Sequence, residues 1–194
     1  MAGRLAEALE SIDRANAADP PRVRFEGAEH PAALMEGRRA HWWVQQLRPD
    51  APDALLIAAR GHHLRRWEIP REGYPRTRDG YLAWRTRLYD FHAEAAAEVM
   101  RSAGYGEEEI AHAGRLLRKQ AIKVDPDAQT YEDAVSLTFL ELRLGPFTET
   151  VTAEQVTRAL RRTWRKMSPA GRDAALSLNL EPRAAAAVRT ALAE

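Results

Sequence analysis

Cysteine is absent from the 194 residues. That absence excludes disulfides, thiolate zinc sites, iron–sulfur clusters and cysteine nucleophiles. Lysine is scarce: of 29 basic residues only Lys119, Lys123 and Lys166 are lysines. Nearly every fixed positive charge is therefore a planar guanidinium, although a GC-rich coding sequence accounts for many arginines taken singly. No run approaches the ~20 apolar residues of a membrane span, so no membrane partner is expected. The N-terminus, Met1-Ala2-Gly3-Arg4-Leu5-Ala6-Glu7, lacks the apolar core of a signal peptide, and a cytoplasmic protein is expected. A Walker loop, GxGxxG, HExxH and GxSxG are all missing. A net charge of +1 argues against a general polyanion-binding coat.

What is present is a local charge pattern. Between Arg60 and His92 eight arginines stand against Glu68, Glu72, Asp79 and Asp90. From Ala93 to Thr150 the balance reverses, with 11 acids against 6 bases. The chain is organised around Ala58-Ala59-Arg60-Gly61-His62-His63-Leu64-Arg65-Arg66-Trp67, which follows the apolar run Leu55-Leu56-Ile57. Imidazole and guanidinium come first and carboxylates afterwards. That order suits a metal or anionic-ligand site assembled across helices.

Helical periodicity dominates. Leu5, Leu9 and Ile12 predict a first helix over 5–17. Residues 22–30 read as a loop or short extended piece. A second helix is predicted over 31–47, with Pro31 in its first turn. A third runs from Asp50 or Pro52 to about residue 67, carrying both histidines. Asp79 caps a fourth over 80–103, and 107–122 forms a fifth. Asp125 or Asp127 opens a sixth to about 144, apolar nearly all round and the expected core helix, ended by Gly145-Pro146. Thr152-Ala153-Glu154-Gln155 is a capping box for a seventh, and Ser168-Pro169 and Glu181-Pro182 open two more. The expectation is one all-α domain over 1–194, a helical bundle of about eight or nine helices.

His62, His63 and His92 are candidate ligands, since imidazole is the commonest metal ligand near neutral pH. The plainer alternative places them as hydrogen-bonded core or surface histidines. Glu132-Asp133 precedes the apolar run of the sixth helix, where carboxylates either answer the helix dipole or face inward. Histidines plus a carboxylate make a credible shell for Mn, Fe or Zn. Arg66, Arg71, Arg78, Arg85 and Lys119 are candidate anion-binding residues; cation–π packing on Trp67, Tyr74 and Trp84 is the competing reading.

Much of the chain resembles the family catalogued as domain of unknown function 4202. The resemblance is carried by Ala58-Ala59-Arg60, His63-Leu64-Arg65-Arg66-Trp67, Ile69-Pro70-Arg71, Tyr74-Pro75, Trp84-Arg85, Phe91-His92-Ala93, Asp125-Pro126, Gln129, Glu132-Asp133 and Thr163-Trp164-Arg165-Lys166-Met167-Ser168. It departs at His62, where the family looks to carry glutamine. The resemblance implies a fold and a residue set but no activity. The element order is also distantly similar to HD-type metallohydrolases. In that likeness His63 stands where the Asp of the His-Asp pair would be, His92 opens a later helix, and Asp133 matches the final metal-binding Asp. His41 lies near the place of the first histidine, and Lys119 stands where a further histidine often occurs. It implies an HD-like core over about 31–144, with C-terminal helices 152–194 packed on it.

Together these readings predict a metal-dependent hydrolase acting on a phosphorylated small molecule or nucleotide. A divalent metal (Mn, Fe or Zn) would be held by His62, His63, His92 and Asp133. Glu132 and Asp133 are the expected catalytic carboxylates, and Arg66, Arg71, Arg78, Arg85 and Lys119 bind the anion. Two alternatives stand beside this. One is an iron-dependent oxygenase using the same ligands. The other is a non-catalytic module for an anionic ligand, with nucleic acid the less favoured partner.

Overall fold

The computed structural model describes residues 3–193. Ten α-helices carry the fold: α1 (Arg4–Asn16), α2 (Ala32–Leu47), α3 (Asp53–Arg60), α4 (Arg78–Ser102), α5 (Glu107–Leu117), α6 (Pro126–Leu142), α7 (Leu144–Thr150), α8 (Ala153–Lys166), α9 (Pro169–Leu176) and α10 (Pro182–Leu192). A two-stranded antiparallel hairpin, β1 (Arg22–Phe25) and β2 (Ala28–Pro31), joins α1 to α2. Its turn residues Glu26 and Gly27 both have positive φ, the twist that suits a two-residue hairpin. Strands of four residues are too short to show the alternation that would have announced them.

Helix α6 is the centre. Tyr131, Ala134, Leu137 and Leu140 are buried in it, and α2, α3, α7, α8 and α9 pack around it. The start signals work as the sequence suggests at three points. Asp125 caps α6 through Asp127 N–H, Thr152 and Gln155 cap α8 reciprocally, and Ser168 caps α9. Helix α4 is capped by Thr77 rather than Asp79, with the Thr77 hydroxyl accepting from Gly80 N–H at 3.1 Å.

Three helix ends differ from the periodic reading. Helix α3 stops at Arg60, and Gly61–Arg65 turn back so that Leu64 can be buried. Arg65 takes a left-handed backbone there, and its N–H is held by Asn16 Oδ1 at 3.1 Å. His62 and His63 therefore sit on a turn rather than a helix. Helix α5 stops at Leu117, and Lys119, Ala121 and Lys123 all have positive φ in the turn that follows. Finally, Gly145-Pro146 does not end a helix but lies in the first turn of α7, where proline costs no hydrogen bond. The break is two residues before Gly145, at Arg143.

Candidate active site

Helices α2 and α3 approach closely because residue 37 is glycine: a Cβ there would run into the backbone carbonyl of Arg60. The end of α3 is further pinned by Asp13 of α1, which accepts two bonds of 2.7 Å from Arg60 and two more from Arg38. This packing brings Glu36, beside Gly37, against the Gly61–Leu64 turn. Donor atoms of Glu36, His62 and His63 all lie within 4.8 Å of one another.

The tautomers follow from the partners. His62 Nδ1 lies 2.9 Å from the Ala59 carbonyl, which can only accept, so Nδ1 carries the proton and Nε2 keeps its lone pair. His63 Nδ1 donates to Glu36 Oε2 in a short contact, again leaving Nε2 free. The other Glu36 oxygen accepts from Arg143 Nε. Burial, with the neighbouring His63 next, pushes the His62 pKa down to about 3. Burial and then Arg66 and Arg143 hold His63 well below its ordinary value. His92, on α4, is 3% exposed, and burial and then His63 keep it neutral also. Its ring centroid is 6.0 Å from that of His63, and its Nε2 is buried with no hydrogen-bond partner. A buried polar atom left unpaired costs stability unless something else meets it.

These groups line a cavity of about 360 Å³, within the range of small-molecule sites. Arg66, Arg85, Lys119, Arg143, Arg162 and Lys166 face it against only two acids, Glu36 and Glu132, a positive excess of four. Glu132 is 3% exposed and accepts from Lys119 at 2.6 Å and Lys166 at 3.2 Å. Burial alone would raise its pKa, but the two lysines outweigh it and hold the carboxyl below its ordinary value. Among the described residues Arg85 is bonded to the hydroxyls of Tyr81 and Tyr89 and to no carboxylate. Arg66 makes no hydrogen bond to a described residue and lies over the Trp84 ring at 4.8 Å. Burial and the nearby Arg85 and Arg143 outweigh the attraction of Glu36 and lower its pKa. Crowded guanidiniums without a carboxylate apiece are the arrangement an incoming anion relieves.

Of the residues singled out in the sequence, His62, His63, His92, Arg66, Arg85, Lys119 and Glu132 converge on this cavity. Asp133, expected both as ligand and as catalytic carboxylate, does not line it. Adjacent helical residues point about 100° apart, so where Glu132 faces the cavity Asp133 faces α9. There it accepts from Ser168 N–H at 2.9 Å, Ser168 Oγ at 2.5 Å and Gln129 Nε2 at 3.1 Å. Arg71 lies outside the cavity and donates to the carbonyls of Tyr74 and Pro75 at 2.8 and 2.7 Å, closing its own loop. Arg78 is exposed on the first residue of α4 and lines no part of the cavity. His41 faces the Leu56 carbonyl at 3.3 Å, away from the donor cluster.

Glu36, Arg143, Arg162 and Lys166 were not anticipated. Glu36 had a legible signal: an acid on the Ala33, Gly37, Ala40, Val44 face of a helix, all of which are buried. Lys166 stood within the family-like stretch 163–168 but without an assigned role, and Arg162 had no signal, since α8 reads as a strongly basic amphipathic helix whose side chains could all have been solvated.

No curated protein matches the chain, and no solved structure does. Nothing in these comparisons bears on the HD-type likeness. Residues 6–188 match the family described as Domain of unknown function (DUF4202), and the chain belongs to that family.

Proposed function

We propose that the cavity is the active site of a metal-dependent hydrolase acting on a phosphorylated small molecule. The observation that carries this reading is the meeting, in one cavity, of Glu36, His62 and His63 with six cationic side chains. Glu36, His62 and His63 would hold a divalent ion; two imidazoles and a carboxylate suit Mn, Fe or Zn. The unpartnered His92 Nε2 at the same cavity supports a polar occupant. A divalent ion here supplies Lewis-acid polarisation of a phosphoryl oxygen and activates water.

The chain's own groups do the rest. Arg66 and Arg85 neutralise the phosphoryl oxygens. Lys119 and Lys166 keep Glu132 ionised and bring further positive charge to the same end. The Glu36 carboxylate orients His63 so that Nε2, unprotonated at neutral pH, is the nitrogen that would be offered to the ion. The net reaction adds water to phosphorus, breaks the bond to the ester oxygen and releases an alcohol and phosphate.

Glu36 is already engaged by His63 and Arg143, and Glu132 by two lysines. Those pairings favour a second reading, a module that binds the same anion without turning it over.

One experiment separates them. Purified protein is loaded with Mn, Fe or Zn, desalted and analysed for metal, then assayed on a panel of phosphate esters. The hydrolase reading expects close to one equivalent of one metal and phosphate release. His63→Ala and Glu36→Gln are expected to lower metal affinity at least a hundredfold. Anion binding without metal retention or turnover would leave the binding module instead.

A further inference from the structure

A second cavity, of about 370 Å³, adjoins the first. The two share Glu36, His63, Arg66, Trp84 and Arg143, so these five side chains form a partition with space on both sides. The second chamber is otherwise different in character. Pro20 and Pro21, from the link between α1 and β1, and Trp67, Ile69 and Pro70, from the loop before α4, build apolar walls on it. Its charged members are largely spoken for. Arg71 is tied to two carbonyls, and Asp19 accepts from Ala33 N–H at 2.6 Å. The walls are rigid as well: three are prolines, and the Ile69 carbonyl is held by Trp84 Nε1 at 2.9 Å.

We propose that this second chamber is a binding subsite for the uncharged, ring-bearing half of a phosphate ester whose phosphoryl group lies at the Glu36–His63–Arg66–Arg143 partition. The assignment rests on the active-site reading above. Continuity through the partition selects this occupant: a group bonded to a phosphorus held there can extend into either chamber. Beyond the partition, one leads to Arg85, Lys119, Arg162 and Lys166 against Glu132, a positive excess of three, and the other to the proline and tryptophan walls, where Arg71 stands against Asp19 and Glu72. An uncharged ring gains by leaving water for the proline and tryptophan walls. In the first chamber a ring would also meet Leu88, Val135, Phe139 and Phe147, but only by displacing water from Arg85, Lys119, Arg162 and Lys166, a desolvation the second chamber does not ask for. The subsite thus makes the enzyme selective for esters of apolar or aromatic alcohols over small polar ones.

The test uses two phosphonates that cannot be hydrolysed. Methylphosphonate and phenylphosphonate are titrated into the full chain by calorimetry in the presence of Mn²⁺. Phenylphosphonate is expected to bind on the order of tenfold to a hundredfold tighter, the worth of burying one ring's apolar surface. Ile69→Trp narrows the second chamber only, and Ala159→Leu narrows the first only. Ile69→Trp should abolish the phenyl advantage and Ala159→Leu should leave it, with methylphosphonate affinity unchanged in both; that constancy reports an intact fold. Trp67→Ala strips the chamber instead of filling it and should shrink the same advantage. A wild type without phenyl preference, or an advantage lost in Ala159→Leu, overturns the subsite while methylphosphonate binding still supports the active site. If methylphosphonate itself does not bind, the active-site reading falls with it.

Discussion

Arg66 is the cavity residue for which the proposed anion makes the plainest difference. Its guanidinium is partly buried, faces Arg85 and Arg143 and has no carboxylate hydrogen-bonded to it. Removing such a charge relieves repulsion and loses little packing if the stem is kept. Arg66→Met is therefore expected to leave the melting temperature unchanged or raised, while phosphonate affinity falls roughly tenfold to a hundredfold, the worth of a charge-assisted hydrogen bond. Calorimetry beside a thermal melt reads both. A large drop in stability would mean that Arg66 has a structural partner and that the cationic excess is not poised for a ligand. Glu36 is the opposite kind of residue. Its carboxylate links His63 to Arg143, so its loss would disturb both the imidazole and the guanidinium it holds.

At the level of elements, two contacts position the site without touching it. Asp133 ties the start of α9 to α6 through both the Ser168 backbone and hydroxyl. Gly171 lies so near that a Cβ there would come within 2.6 Å of the Asp133 carboxyl carbon. Asp133→Ala leaves those buried donors unpaired and is expected to cost about 3 kcal/mol, or roughly 6–12 °C in melting temperature for a domain of this size. Metal affinity should not change; a parallel loss of metal would return Asp133 to the ligand set. Gly37 is the second contact. Gly37→Ala must separate α2 from the end of α3, at about 1–3 kcal/mol. It should also weaken metal binding, because Glu36 rides on α2 while His62 and His63 follow α3. A variant that loses stability and keeps full metal affinity would show that the turn adjusts independently of α3.

For the whole molecule the three neutral histidines make stability depend on pH. His62, His63 and His92 have folded pKa values below their unfolded value near 6.5. Between about pH 6.5 and the folded values, about 3 for His62, the unfolded chain binds more protons than the folded one. Stability therefore rises with pH across that window and falls as the solution is acidified. Each histidine contributes up to about 1.4 kcal/mol per pH unit. Metal-free protein should melt at sharply lower temperature at pH 5 than at pH 7. His62→Gln should flatten the dependence, since it removes one of four histidines with a lowered pKa, His41 being the fourth. A melting temperature flat between pH 7 and 5 would contradict the burial of these rings. The C-terminal helices belong to the same whole: α8 packs on α6, α7 and α10 and sends Arg162 and Lys166 into the cavity.

Sequence alone determined the all-α class, the central place of the sixth helix and seven of the cavity's residues. Each of these rests on local chemistry: apolar spacing at helical period, capping side chains, and the clustering of imidazole and guanidinium between Arg60 and His92. Tertiary structure alone decided which carboxylate joins the histidines. Glu132, Asp133 and Glu36 are equally acidic on paper, but Glu132 meets two lysines, Asp133 turns to α9, and Glu36 is carried to His63 by the α2–α3 contact that Gly37 permits. It also decided that the histidines sit on a turn, because Gly61 ends α3 and the burial of Leu64 outweighs helical propensity. Pairing across 27 residues, as between Glu36 and His63, leaves no periodic trace in a chain; it exists only once the helices have packed.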